Sequence, residues 1–437
     1  MARFLGSWTR HARGAAVLVA ALGYFVDIFD LILFALVRVD SLKSLGVAAA
    51  DTKNVGIWLD NYLQSTGLVL GGIVWGIVGD RRGRLTVLFG SIFVYSAANI
   101  ANAFIADVPN EGFGALLHMI GAGTALSQYA ILRFVAGFGL AGELGAGITL
   151  VSELVSKERR GLATTLVATV GICGALAAFA VTQWCAWRTA FLIGGCMGIA
   201  LLILRVGVVE SGLFASVRKA HGATCGAFWL LFYPWDRLRR YLAIILCAVP
   251  IWYFVGILVK YCDALGASMG MPEGARPTPG PAIFWAYIGL AVGDLLSGLL
   301  SQWMRSRRGA LLIFHALCAL ALVLYFVVAP KSLTAFYVVV AFGGLATGYW
   351  AVFVTTAAEL FGTNLRACAT TSAPNMVRWS MAGCAFFWLT LEGVLGHTPE
   401  AAWQAAAILG AILVPVAAIA SFSLPETYGR DLAFIEK

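Results

Sequence analysis

The chain has 437 residues, 60% of them hydrophobic and 12% charged, with a mean hydropathy of +0.86. A water-soluble domain carries roughly 25% charged residues, so this chain cannot cover a water-facing surface and reads as an all-α membrane protein built mostly of spans. Its net charge of +8 is therefore weighed against a bilayer, with no nucleic-acid partner expected.

A bilayer-crossing helix takes about 20 apolar residues. Twelve such segments are expected, at 14–37, 57–79, 86–106, 127–152, 162–183, 189–209, 241–263, 281–304, 310–329, 333–357, 367–392 and 401–424. The first follows Arg3, Arg10 and Arg13. It runs too long for a signal peptide's apolar core and lacks a small-residue cleavage site. The longest connection follows the sixth span. It divides the chain into an N-terminal six-helix bundle (1–210), a cytoplasmic linker (211–240) and a C-terminal six-helix bundle (241–437).

With the N-terminus in the cytoplasm, the segments on that side hold 21 of the 30 lysines and arginines and the opposite loops hold 7. This is the positive-inside bias, so both termini are expected in the cytoplasm and the net charge reports topology. The remaining two, Arg133 and Arg378, fall inside spans. The nine cysteines form no C-x-x-C pair and lie mostly in apolar segments, as small buried hydrophobes do. The scattered histidines suggest no metal site, and no cofactor is expected.

The first span contains "GYFVDIFDLILFALV" (23–37), which places Asp27 and Asp30 in its most apolar stretch. A charge at mid-bilayer costs about 2.5–3.5 kcal/mol on insertion scales and faces the protein interior or a cavity. Residues three apart share a helical face, so both carboxylates look the same way. Asp30 and Arg133 both fall in the outer half of their spans, and an Asp–Arg pair would make both charges tolerable. Such a carboxylate suits proton coupling, because desolvation raises its proton affinity and a nearby arginine lowers it. A static structural ion pair is the competing reading. Glu143, on the fourth span, is either a further coupling group or a lock to a neighbouring helix.

The two halves repeat. "SELVSKERRG" (152–161) and "AELFGTNLRA" (358–367) carry Glu153 and Arg160, and Glu359 and Arg366, each pair seven apart. "RRGRL" (81–85) matches "RRGAL" (307–311), and "VESG" (209–212) is similar to "PETYG" (425–429). Parallel six-span repeats are a transporter architecture with the substrate site between them.

"GIVGDRRGR" (76–84) resembles the G-x-x-x-D-R-x-G-R signature of the major facilitator superfamily. "RFVAGFGLAGE" (133–143) and the Asp27–Phe29–Asp30 cluster are similar to its metabolite:proton symporter branch and that branch's sugar-porter relatives. Tyr24, Ile28 and Ala141 depart from that branch's usual Asn, Trp and Gly. The resemblance implies a gating network of Asp80, Arg81, Gly83 and Arg84 with Glu153 and Arg160, and with Glu359 and Arg366 in the second half. It also implies that the first, fourth, seventh and tenth spans line the cavity.

"GFGLAG" (137–142) matches a dinucleotide fingerprint by letter, but no strand precedes it and it lies mid-span. Its small residues are expected in close helix packing, as are Gly72/Gly76, Gly194/Gly198 and Gly344/Gly348. Arg378 has no carboxylate of matching depth in its own half. It is expected to face the cavity and bind an anion, since its planar fork matches a carboxylate; a structural role is the alternative. Tyr349 and Trp350, with Phe353, form either an aromatic wall or core packing. Gln64 and Arg133 complete the expected substrate contacts. Lys260 and Asp263 are expected to form a surface pair.

The chain is thus expected to be a monomeric secondary transporter of the inner cell membrane, not an enzyme. Its partners are protons, the lipid bilayer and a small carboxylate-bearing or zwitterionic metabolite carried by alternating access. A sugar, polyol or organic-cation substrate, or export by antiport, are the alternatives.

Overall fold

The computed structural model describes residues 2–48, 51–111, 113–119, 121–205, 225–396 and 398–436. Among the described residues all regular structure is helical. Eleven of the described helices are long and apolar enough to cross a bilayer. In chain order the N-terminal ones are α1 (Ala16–Ser44), α2 (Asn54–Arg82), α3 (Arg84–Asn102), α4 (Ala125–Leu154), α5 (Arg160–Trp184) and α6 (Trp187–Leu204). Then come α7 (Trp235–Val259), α8 (Pro279–Trp303), α9 (Arg307–Val327) and α10 (Leu333–Leu360).

The twelfth spanning helix is α11 (Arg366–Val394), which is less apolar because Thr370, Thr371, Ser372, Asn375 and Arg378 interrupt it. All five are buried, so the helix shows its polar face to protein and not to lipid. The last helix is α12 (Ala401–Ser423). Large apolar side chains such as Phe93, Leu166, Val323, Val338 and Phe422 stand exposed on the outside, where a bilayer would cover them.

The twelve expected spans are present with shifted edges. α1 runs on to Ser44, and α7 begins at Trp235, inside the stretch read as linker. Residues 206–224, which carry the first part of that stretch and "VESG", lie outside the described residues. Residues 225–232 already pack on the second half, where Gly226 N–H donates to the Asn364 carbonyl at 3.1 Å.

Helices α1–α6 pack mainly on one another, as do α7–α12, and the two groups meet along α2–α11 and α5–α8. Close approach is bought by glycine at equivalent places. A side chain at Gly71 of α2 would come within 2.2 Å of the Phe138 carbonyl of α4. One at Gly293 of α8 would come within 2.1 Å of the Leu345 carbonyl of α10. Gly72 and Gly76 instead face α11, at Asn375 and Cys368. Polar caps start several helices: Thr124 accepts from Ser127 N–H, Ser306 from Gly309 N–H and Ser332 from Ala335 N–H. In lipid such unpaired first-turn groups have no water to satisfy them.

Candidate functional site

Between the two groups of helices lies a small closed cavity of about 20 Å³, room for about one water molecule. Its walls are Tyr24 and Ile28 of α1, Ile172 of α5, Ile251, Trp252 and Val255 of α7, Tyr287 and Leu290 of α8, and Trp350 of α10. Helix α10 breaks at Gly348–Tyr349. Gly348 is pressed against α8, where a side chain would meet the Asp294 backbone nitrogen at 2.6 Å. The break restarts the helix at Trp350, whose ring lies 6.3 Å from that of Trp252. Neither indole N–H has a partner within the protein, so both are available to a ligand.

Tyr349 does not join this wall as a substrate contact; of its two readings, core packing is the one the structure shows. Its hydroxyl donates to the Cys247 carbonyl at 2.9 Å and its ring lies tilted against that of His315, 5.0 Å away, which makes it part of the second bundle's core. Gln64 is buried on α2 against Gly137 of α4 and does not line the cavity.

The charges beside the cavity pair differently from the sequence expectation. Arg378 is not unpaired: its Nη2 donates to Asp27 Oδ2 at 3.1 Å, across the boundary between α1 and α11. Its Nη1 donates to Asn375 Oδ1 at 3.2 Å. The guanidinium also lies 5.8 Å from the Trp350 ring centre and 6.0 Å from that of Trp252, within cation–π range. Glu143 takes a hydrogen bond from Arg205 Nη1 at 2.9 Å. Gly23 leaves room for that pair, since a side chain there would collide with both.

Asp30 and Arg133 are close enough to interact electrostatically, but they form no ion pair. Arg133 Nη2 donates instead to Asn99 Oδ1 at 2.8 Å, and its guanidinium covers the Phe191 ring at 4.6 Å. Asp30 is buried against Gly194 of α6. The arginine that neutralises the first span is thus Arg378, for Asp27, and not Arg133.

At the end of the molecule bearing the Gly83 turn (φ +110°), the repeated loops interlock. Asp80 accepts from Ala367 N–H at 3.0 Å and Cys368 N–H at 2.8 Å, the first turn of α11, and pairs with Arg84 at 3.2 Å. Arg84 donates to Glu153 at 2.9 Å, and so does Arg366, at 3.0 Å. Glu359 pairs with Arg160 at 3.5 Å and Arg307 at 3.2 Å. Arg81 stays exposed beside Gly226 and takes part in none of these pairs.

The Major Facilitator Superfamily model matches residues 20–383. The chain belongs to that superfamily. It is 29% identical over 265 residues to the 3-(3-hydroxy-phenyl)propionate transporter of Escherichia coli, covering 59% of each chain. It is 29% identical over 197 residues to a niacin transporter of Acinetobacter baylyi, covering 44% of this chain and 40% of that one. The chain spans about half the length of these two relatives. A gentisate transporter of Corynebacterium glutamicum is 26% identical over 377 residues, covering 82% of this chain and 76% of that one. The proton:xylose symporter XylE bound to 6-bromo-6-deoxy-D-glucose superimposes with a TM-score of 0.74 at 16% identity. That match covers 97% of this chain and 98% of the other and establishes the shared fold.

Two charged groups of this superfamily member escape sequence reasoning. Asp60 of α2 pairs with Lys260, which follows α7, at the end opposite the Gly83 turn. Both side chains are buried, so Lys260 is not half of a surface pair with Asp263. Each lies at a π-helical stretch, Trp58–Gln64 and Phe254–Val259, and such stretches are frequent at functional sites. Asp294 of α8 is buried, and its Oδ1 accepts from Ala351 N–H at 2.6 Å. It therefore holds the restarted turn of α10 that carries Trp350. An aspartate in the middle of the eighth span was visible as a signal, since intramembrane carboxylates are rare.

Proposed function

We propose that the protein is a proton-coupled symporter that moves a small aromatic carboxylate across the inner cell membrane by alternating access. It works as a monomer with both termini in the cytoplasm. The observation that carries this reading is the Asp27–Arg378 hydrogen bond beside an aromatic cavity. Arginine presents a planar fork that holds a carboxylate by two parallel bonds, and the flanking tryptophans offer flat faces to a ring. The substrates named for the relatives, hydroxyphenylpropionate, niacin and gentisate, each join a carboxylate to an aromatic ring.

The exchange of partners couples the two fluxes. An incoming carboxylate competes with Asp27 for Arg378. Asp27, left buried without its cation, gains a proton in place of the lost pair. Arg378 and the substrate anion then cancel, Asp27 is neutral, and the loaded centre can move between the bundles without a net buried charge. Release of substrate returns Arg378 to Asp27 and expels the proton. Asp30 is the second proton-carrying group, with Arg133 beside it, and Glu143 is held by Arg205. The two sets of ion pairs, at the Gly83 end and at Asp60–Lys260, are the gates.

Calorimetric binding of gentisate, nicotinate and 3-(3-hydroxyphenyl)propionate to the purified protein tests the substrate class. At least one should bind with proton uptake from the buffer. Binding of neutral sugars in preference to all three would contradict the reading.

A further inference from the structure

We propose that one face of α3 is a water-lined proton route that reaches Asp30 from the Asp60 end of the molecule, apart from the substrate cavity. The inference rests on the proton-coupled reading of the protein.

Ser91, Tyr95, Asn99 and Asn102 follow one another at spacings of four, four and three, which places them in one stripe along the helix. At 1.5 Å per residue the stripe is roughly 16 Å long. All four residues are 0% exposed. Each carries a polar atom with no protein partner: Ser91 Oγ, Tyr95 OH, Asn99 Nδ2 and both amide atoms of Asn102. Buried polar groups are normally satisfied by protein or by ordered water. One orphan would be an isolated fault; a continuous line of them inside a membrane bundle is the lining of a hydrated path.

The line leads to a titratable group. Arg133 Nη2 binds Asn99 Oδ1, while its Nε and Nη1 find no protein acceptor. Asp30 faces the Asn99 side chain, yet neither of its oxygens has a donor at full hydrogen-bond distance. The charged and titratable groups that act on Asp30 are Arg133 from α4, Asp27 from its own helix and Tyr95 from α3. Helix α6 meets Asp30 at Gly194. A side chain at Gly194 would come within 2.1 Å of Asp30 Oδ1, and one at Gly198 within 2.0 Å of Ser96 Oγ. Asp30 and Ser96 fill the places that side chains at these glycines would take, so the glycines let polar groups of α1 and α3 come up against α6.

The stripe also has a mouth and an inner end. Asn102 is the last residue of α3, and Phe104 two residues on is exposed. Ser91 lies level with the Glu143–Arg205 pair, where Arg205 Nη1 reaches the Leu88 carbonyl. The amides order water, the protons hop along that water, and Asp30 receives them. The route delivers protons to Asp30, three residues from Asp27 on the same helix, without passing through the cavity walled by aromatic and aliphatic side chains.

Radiolytic hydroxyl labelling reads the water, and substrate-driven proton uptake into proteoliposomes reads the route. Tyr325 is the dry control, since it is fully buried with its hydroxyl bonded to the Leu258 carbonyl. Tyr95 should be labelled in the wild type, Tyr325 should not, and the Tyr95 label should be lost in Asn102→Leu. That variant should lose proton uptake driven by gentisate, nicotinate or 3-(3-hydroxyphenyl)propionate while keeping substrate exchange, which also proves that it folds. Asn102→Ser should retain both. Tyr95 labelled no faster than Tyr325 overturns the proposal, and so does wild-type proton uptake in Asn102→Leu. If the wild type itself takes up no protons with any of the three, the substrate or coupling reading has failed, and the labelling of Tyr95 alone decides whether the stripe is wet.

Discussion

Arg366 of α11 donates to Glu153 of α4 at 3.0 Å, and the equivalent residues of the repeat, Arg160 and Glu359, pair at 3.5 Å. The two halves carry the same Glu-to-Arg spacing, yet each glutamate takes the other half's arginine. All four side chains are buried. The bundles cannot part at this end without breaking both pairs, so under the proposed transport cycle the crossed clasp is the lock that must open.

Removing one partner of a buried pair costs about 3–5 kcal/mol, because the other charge is left uncompensated. Glu153→Gln should therefore favour the state open at the Gly83 end. Spin-label distances between α4 and α11 should lengthen there, and the swap Glu153→Arg with Arg366→Glu should shorten them again. Unchanged distances in the single variant would mean that the clasp is not a gate.

Asp80 caps the first turn of α11 with two backbone bonds. Losing a cap costs about 0.5–2 kcal/mol, and here the loss falls on the interlocked loops at the Gly83 end, the proposed gate. Asp80→Asn should slow turnover and leave substrate affinity unchanged. A tenfold weaker affinity with normal turnover would place the residue in the binding site instead.

Arg378→Lys and Arg378→Ala should each weaken binding of the aromatic acid roughly tenfold to a hundredfold, the equivalent of a charged hydrogen bond worth about 1.5–3 kcal/mol. Arg378→Ala should also lower thermal stability, since it strands Asp27. The double variant with Asp27→Asn should recover stability without recovering binding. Normal binding by the lysine variant would remove Arg378 from the substrate site.

Lys260→Met should destabilise the closed state at the opposite end, because Asp60 loses its buried partner. A cysteine placed at Leu59, which is buried at 0% exposure, should then react faster with a membrane-impermeant thiol reagent. An unchanged rate would show that this pair does not seal the path.

Much of the fold was legible because the bilayer sets one length and one composition for every span. The signature loop and the repeated Glu and Arg residues were legible for the same reason: charges are few, so each one stands out. Partners were not legible. Asp27 and Arg378 are 351 residues apart, and depth matching within one half cannot find a bond that crosses to the other. Asp60–Lys260 was missed on the same ground, and the four clasp residues were named without the crossing of their pairs. Tyr349 was misplaced because α10 breaks at Gly348, and that break turns Trp350 to the cavity and Tyr349 to the core. Such a break depends on what packs beside it, here Gly293 and Asp294 of α8, and not on the local sequence.

The central claim is that the proton gradient drives uptake of an aromatic carboxylate through Asp27 and Asp30. Accumulation of radiolabelled gentisate, nicotinate or 3-(3-hydroxyphenyl)propionate in proteoliposomes under an imposed pH gradient tests it most directly. The wild type should concentrate at least one of them and lose the accumulation when a protonophore is added, and Asp30→Asn should only equilibrate it. Accumulation that survives the protonophore, or that Asp30→Asn supports as well as the wild type, would contradict the account.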